Sequence, residues 1–226
     1  MRGKIVLIFL FLLCPLWHSA QEYSPLVRDN QFWTSLSLDA KLHKRWKGYA
    51  ELALRTHKNM QVLNTAFVEF GLRYNKKDWS VKGNFRSSER FDRHENRWFI
   101  DTEYQFISSK RFDMEARVRT QYSYFSDDRP GEWRVRQKLK AKYNIKKNPL
   151  NPTMDAETFL SNSPTGWFLS VFRWSVGVEF DIISDLELSL LYRIEREFFV
   201  AEPDFNQIAI VSFSYSLGKI YKKGDD

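Results

Sequence analysis

Phe112-Asp113-Met114-Glu115-Ala116-Arg117-Val118-Arg119-Thr120-Gln121-Tyr122 is the stretch that decides the fold. Its even-numbered positions are apolar or weakly polar, and its odd-numbered positions carry Asp, Glu, Arg, Arg and Gln. That is the period of a β-strand with one apolar and one charged face. Comparable stretches recur along the chain, each about ten residues long where five or six is usual. A tilted strand of about ten residues crosses a bilayer, and only a closed barrel can do so without leaving an unpaired edge.

The other strands follow the same grammar. Gln31–Leu42, Trp46–Thr56, Thr65–Tyr74, Trp79–Ser87 and Trp98–Phe106 precede Phe112–Tyr122. Trp133–Tyr143, Leu150–Leu160, Phe172–Phe180, Leu186–Ile194 and Ile208–Leu217 follow it. Short polar turns at His43–Arg45, Asn75–Asp78, Ile107–Arg111, Asn144–Pro149 and Asp181–Asp185 alternate with longer connections. The longer ones are His57–Asn64, Ser88–Asn96, Phe125–Glu132, Ser161–Gly166 and Arg196–Phe205. Periplasmic turns and extracellular loops alternate in this way in outer-membrane barrels. The expected fold is all-β: a closed, antiparallel, up-and-down transmembrane barrel. Eleven strands would pair the first and last in parallel, so Glu22–Arg28 is read as a further outward strand, giving about twelve, with ten as the alternative.

Residues 1–20 read as a cleaved signal peptide: Arg2 and Lys4, the apolar run Ile5–Leu13, then Ser19-Ala20. Residues 21–226 are then a single outer-membrane barrel domain, and the expected location is the cell outer membrane. The only cysteine, Cys14, lies within the leader, so the mature chain would have no thiol. Losing the two leader cations takes the formal charge from +7 to +5. Arg and Lys interleave with Asp and Glu along strands and form no single patch, which points away from nucleic acid. The expected partners are outer-membrane lipids, lipopolysaccharide and the barrel-assembly machinery, with the protein itself a monomer.

Three features set the apolar face toward lipid: strand length, aromatic residues at the ends of apolar faces, and charges of both signs on the other face. The expected aromatic girdle is Trp46, Trp79, Trp98, Trp133, Tyr104, Tyr122 and Tyr143, with Tyr74 beside them. The expected lumen network is Glu51, Arg55, Glu69, Arg73, Arg86, Asp101, Glu103, Asp113, Glu115, Arg117, Arg119, Arg134, Arg136, Glu179 and Arg193. Glu157, Arg173 and Glu187 share its parity. Such charges are costly to bury unless paired, so they should cross-link and largely fill the interior. The strip Arg134, Arg136, Lys138, Lys140, Lys142 offers the other reading, a pore favouring anions.

Signatures of catalysis are absent: no HExxH, Cys cluster, Gly-rich phosphate loop or GxSxG occurs. The chain reads as a non-enzyme with no cofactor and no metal. Enzymes that act on lipid from a barrel need Ser and His at the lipid boundary. Ser87 or Ser88 with His94 is the nearby pair, but its spacing is no signature, and solvated loop residues account for it. Asp127, Asp128 and Asp204 could meet divalent cations of lipopolysaccharide, although acidic loop tips are common.

From Trp33 onward the chain resembles an uncharacterised bacterial outer-membrane family, domain of unknown function 2490. The likeness is carried by Trp33-Thr34-Ser35-Leu36-Ser37-Leu38, the Lys-rich turn before Trp46, and Glu51 with Arg55. It continues in Glu69-Phe70-Gly71, Leu72-Arg73-Tyr74 and the Tyr-rich sixth strand. The resemblance implies an outer-membrane barrel and supplies no activity or catalytic residues.

Overall fold

A computed structural model describes residues 27–219 except 91–92, 128, 147, 165 and 200–202. The leader and Cys14 lie outside the described residues. Eleven strands are seen among those described: β1 (Val27–Lys41), β2 (Trp46–His57), β3 (Val62–Lys76), β4 (Trp79–Arg90), β5 (Arg93–Ser108), β6 (Phe112–Phe125), β7 (Glu132–Tyr143), β8 (Leu150–Ser163), β9 (Gly166–Ile183), β10 (Leu186–Glu197) and β11 (Asp204–Lys219). Each strand pairs with its chain neighbours antiparallel, and β1 closes the barrel against β11.

The closing pair is parallel, from Val27 opposite Asp204 to Lys41 opposite Lys219. With an odd number of strands the first and last run the same way, so closure requires it. Single-chain bacterial barrels usually avoid this by having an even number. Of the expected extra strand Glu22–Arg28, residues 22–26 lie outside the described residues, while Val27 and Arg28 begin β1. The parallel seam is supported by side chains as well as backbone. Ser35 Oγ donates to Ser212 Oγ at 3.0 Å, and Ser37 and Ser214 meet at 2.8 Å. On the inner side Trp33, Ile208 and Ile210 form a small buried apolar cluster with Leu191 against it. Along the middle of this inner seam Gln31, Trp33, Ser35 and Ser37 stand opposite Ile208, Ile210, Ser212 and Ser214, and the charged Asp29 and Asp39 lie beyond them, opposite Asn206 and Ser216.

The expected contrast between short turns and long loops does not hold. Strands of 12–18 residues leave two to six residues for each connection on either rim. A 12-residue strand is about 40 Å long before tilt, and 9–11 tilted residues already cross the hydrocarbon. Residues read as loop, among them Ser88, His94 and Asn96, therefore continue the ladder beyond the bilayer-length segment. Among the described residues, the first-turn rim carries 42–45, 77–78, 109–111, 144–146, 148–149 and 184–185; the opposite rim carries 58–61, 126–127, 129–131, 164, 198–199 and 203.

Candidate functional site

Alternation within each strand sends every second side chain into the barrel, and the inward set is charged. All fifteen residues expected in the lumen have inward parity in the structure, each buried or half-buried. Their outward neighbours Leu52, Phe70, Leu72, Ile100 and Val118 are exposed. The girdle residues also face outward in two bands. Trp46 stacks on Tyr74 (centroids 5.1 Å apart) and Trp79 on Tyr104 (4.5 Å) near the first-turn rim, with Tyr143 at the same level. Trp98 stacks on Phe85 (4.5 Å) and Tyr122 on Trp133 (5.0 Å) toward the opposite rim.

Register makes the ion pairs. Glu69 stands directly opposite Arg86, and Asp101 directly opposite Arg119. Arg86 donates to Glu69 through Nε (2.9 Å) and Nη2 (2.5 Å), with Lys82 Nζ 3.6 Å away. Arg119 grips Asp101 with two bonds of 2.6 and 2.8 Å. Glu157 is the hub of the far wall: Arg136 donates to both its oxygens (3.0 and 2.8 Å), Arg117 donates at 2.5 Å, and Arg173 lies 3.8 Å away. Arg173 also pairs with Glu195, and Glu95 pairs with Arg97 and with Arg90, the latter at 3.0 Å. Glu69 and Asp101 are 1% exposed and Glu157 2%, so these carboxylates are shielded from water and held only by cations.

The remaining expected members are held more loosely. Arg73 reaches Glu103 at 3.5 Å, Arg134 pairs with Glu132 at 2.6 Å, and Asp113 accepts from Asn144 at 2.7 Å. Glu51 accepts from the Tyr49 hydroxyl, and Arg193 donates to Ser175 at 2.8 Å. The basic strip on β7 is not a free positive surface. Lys138 pairs with Asp155 (3.2 Å), and Lys140 and Lys142 share Glu179 (2.5 and 2.8 Å).

Inward aromatics are part of this network, and the sequence reading passed over them. Arg86 lies over Phe67 and Arg119 over Phe99, each 3.8 Å from the ring centroid. Arg136 and Arg173 cover Phe159 (4.3 and 4.4 Å), Arg55 covers Trp33 (4.1 Å), and Lys82 covers Tyr49 (3.1 Å). Each such contact contributes about 0.5–2 kcal/mol when desolvated. The signal was available: Phe67, Phe99 and Phe159 share parity with Glu69, Asp101 and Glu157.

At the opposite rim the lumen widens into a vestibule of about 620 Å³, bordered by Arg55, Arg90, Arg97, Arg134 and Arg173 and by the acids Glu95, Glu195 and Glu197. Asp204 also borders it; Asp127 pairs with Arg129 (2.8 Å), and Asp128 lies outside the described residues. Among the described residues no group of three or more His, Cys, Asp and Glu is arranged to hold a metal.

A second polar cluster sits on the outer surface. Ser88 points inward and is buried, whereas Ser87 points outward. Across the β4–β5 ladder Ser87 stands opposite Asn96 and Glu89 opposite His94. His94 Nδ1 lies 3.0 Å from Glu89 Oε2, and its Nε2 lies 3.2 Å from both Ser87 Oγ and Asn96 Oδ1. Ser87 and His94 are therefore ladder residues above the Phe85–Trp98 band rather than loop residues, with the His94 side chain exposed. The hydrogen bond to Glu89 holds the His94 pKa above its ordinary value.

The model of a family described as a protein of unknown function, DUF2490, matches residues 30–206. No curated protein matches the chain. Among solved structures, the NanC porin is similar over 74% of this chain and 85% of its own, at 11% identity and a TM-score of 0.52. A bacterial polysaccharide outer membrane secretin is similar over 74% of this chain and 63% of its own, at 10% identity and a TM-score of 0.54. At these identities the likeness shows the fold, that of an outer-membrane β-barrel.

Proposed function

We propose that this chain, which belongs to the DUF2490 family of proteins of unknown function, is exported by a cleaved leader and inserted in the outer membrane as a barrel closed by its own ion pairs. Its role is structural or envelope-associated, and it is not an open pore. The observation that carries this reading is the shielding of Glu69, Asp101 and Glu157 inside the lumen. A water-filled channel would hydrate these carboxylates, and here guanidinium groups and aromatic rings occupy their surroundings. An exposed apolar belt between two aromatic bands is what a bilayer covers. Purified barrel in planar bilayers should show no large steady conductance; a persistent open level would overturn the closed-lumen reading.

A second reading has one observation of its own. Arginines outnumber acids around the vestibule, so its mouth would favour an acidic solute. If the plug opened, current would be carried mainly by anions, and a salt gradient across the bilayer would reveal it in the sign of the reversal potential.

A further inference from the structure

The cluster outside the lumen has the connectivity of a nucleophile, a base and an orienting acid, and nothing in the closed-lumen reading uses it. We propose that Ser87, His94 and Glu89 form a hydrolytic triad on the lipid-facing wall, acting on acyl esters of membrane lipids. The geometry assigns the roles. Glu89 accepts from Nδ1–H of His94 (3.0 Å), and Nε2 faces both Ser87 Oγ and Asn96 Oδ1 at 3.2 Å, so that neutral His94 accepts the Ser87 hydroxyl at Nε2. Glu89 acts through His94 and is a positioning residue. Asn96, opposite Ser87 on the ladder, brings a carboxamide to the same side. Its Oδ1 lies 3.2 Å from His94 Nε2 and accepts from Nε2–H once His94 has taken the serine proton.

A second observation points to the ligand. A groove of about 690 Å³ begins at Ser87 and His94 and runs over the outer wall across β3, β2 and β1. The side chains beside the triad on β3 are small: Ala66 stands opposite Glu89 and Val68 opposite Ser87. Beyond them the groove is walled by Leu52, Leu54 and Leu36, which are exposed to the surroundings of the barrel. The groove is therefore apolar along its length and polar at the end above the Phe85–Trp98 band. Chains of a membrane lipid fit the apolar length, and its ester linkage, at the boundary with the head group, falls at the polar end.

The chemistry balances without a cofactor. Ser87 Oγ adds to the ester carbonyl as its proton passes to His94 Nε2. The carbon–oxygen bond to the alcohol breaks, and that oxygen leaves with the proton from Nε2. Water then adds to the acyl-serine, giving its proton to His94, and Ser87 departs with that proton as the fatty acid is released. His94 must be neutral to begin, so activity rises with pH through a limb above the ordinary histidine value of about 6.5. The rise is above that value because Glu89 holds the His94 pKa up.

The test uses the full barrel refolded in mixed micelles, with folding of every variant verified by heat-modifiable gel mobility. One arm contains a diacyl phospholipid and the other lipid A; fatty acid release is read by mass spectrometry, and Ser87 is probed with a fluorophosphonate. The folded protein should release fatty acid in at least one arm, which identifies the lipid source, and should take up the probe. Ser87→Ala and His94→Ala should each lower release at least about a thousandfold, and Ser87→Ala should abolish labelling. Glu89→Gln should move the pH limb downward. Folded protein that releases fatty acid in neither arm, or a Ser87→Ala variant as active as the parent, overturns the proposal.

Discussion

Replacing Glu157 with alanine removes the carboxylate that holds the far wall of the lumen together. It accepts two hydrogen bonds from Arg136 and one from Arg117, and Arg173 stands 3.8 Å away. Hydrogen bonds to charged groups are worth about 1.5–3 kcal/mol each when made, and their loss in a buried site adds the cost of unpaired charge. Breaking a desolvated ion pair from one side costs about 3–5 kcal/mol. With three guanidiniums left facing one another, Glu157→Ala should fall at the upper end of that range. Glu187, half-exposed and 3.6 Å from Lys142, is the comparison, and Glu187→Ala should cost about 0–1 kcal/mol. Reversible urea unfolding in lipid vesicles, followed by tryptophan fluorescence, measures both. Raising salt to 1 M, where the Debye length is about 3 Å, should erase the Glu187 effect and leave the Glu157 effect. Joint replacement of Glu157 and Arg136 by leucine should cost less than Glu157→Ala alone, because fewer charges remain unpaired. A Glu157→Ala cost below about 0.5 kcal/mol, or one that vanishes in salt, would mean a solvated lumen and refute the reasoning.

Two further outcomes bear on the wall itself. Val118 is 39% exposed, midway along β6 between two inward arginines, so Val118→Arg should cost about 2–4 kcal/mol in lipid and Leu150→Arg, at a rim, about 0–1, both read by the same unfolding assay. Ser35→Cys with Ser212→Cys should close a disulfide across the parallel seam, seen as an oxidant-dependent gel shift. The two hydroxyls lie 3.0 Å apart, and a seam in any other register would leave the thiols unjoined.

How much of this was legible depends on how local each feature is. Alternation in Phe112–Tyr122 needs only neighbours in the chain, and β6 runs from Phe112 to Phe125 as that pattern implies. Sequence places the strand ends too early because Ser88, His94 and Asn96 are polar and polarity beyond the girdle resembles loop; their pairing across β4 and β5 shows that the ladder continues. The strand number turned on how β1 meets β11, a contact between residues about 177 positions apart that no local pattern encodes. Phe67, Phe99 and Phe159 were visible at lumen parity, but their service as platforms for Arg86, Arg119 and Arg136 needs the neighbouring strand in register. The same holds for Ser87 and His94: seven residues apart in sequence, they meet because the β4–β5 register sets Ser87 opposite Asn96 and Glu89 opposite His94.

The central claim is that the apolar face of this barrel meets lipid and the charged face fills the lumen. The direct measurement is accessibility, one site at a time, in a Cys14→Ser background. Cysteines placed at Val118, Leu139 and Val176, outward on β6, β7 and β9, should react with a bilayer-restricted thiol probe, and cysteines at Arg119 and Lys140 should not. Labelling of the Arg119 and Lys140 sites with protection of the other three would place the apolar face in a core and contradict the account.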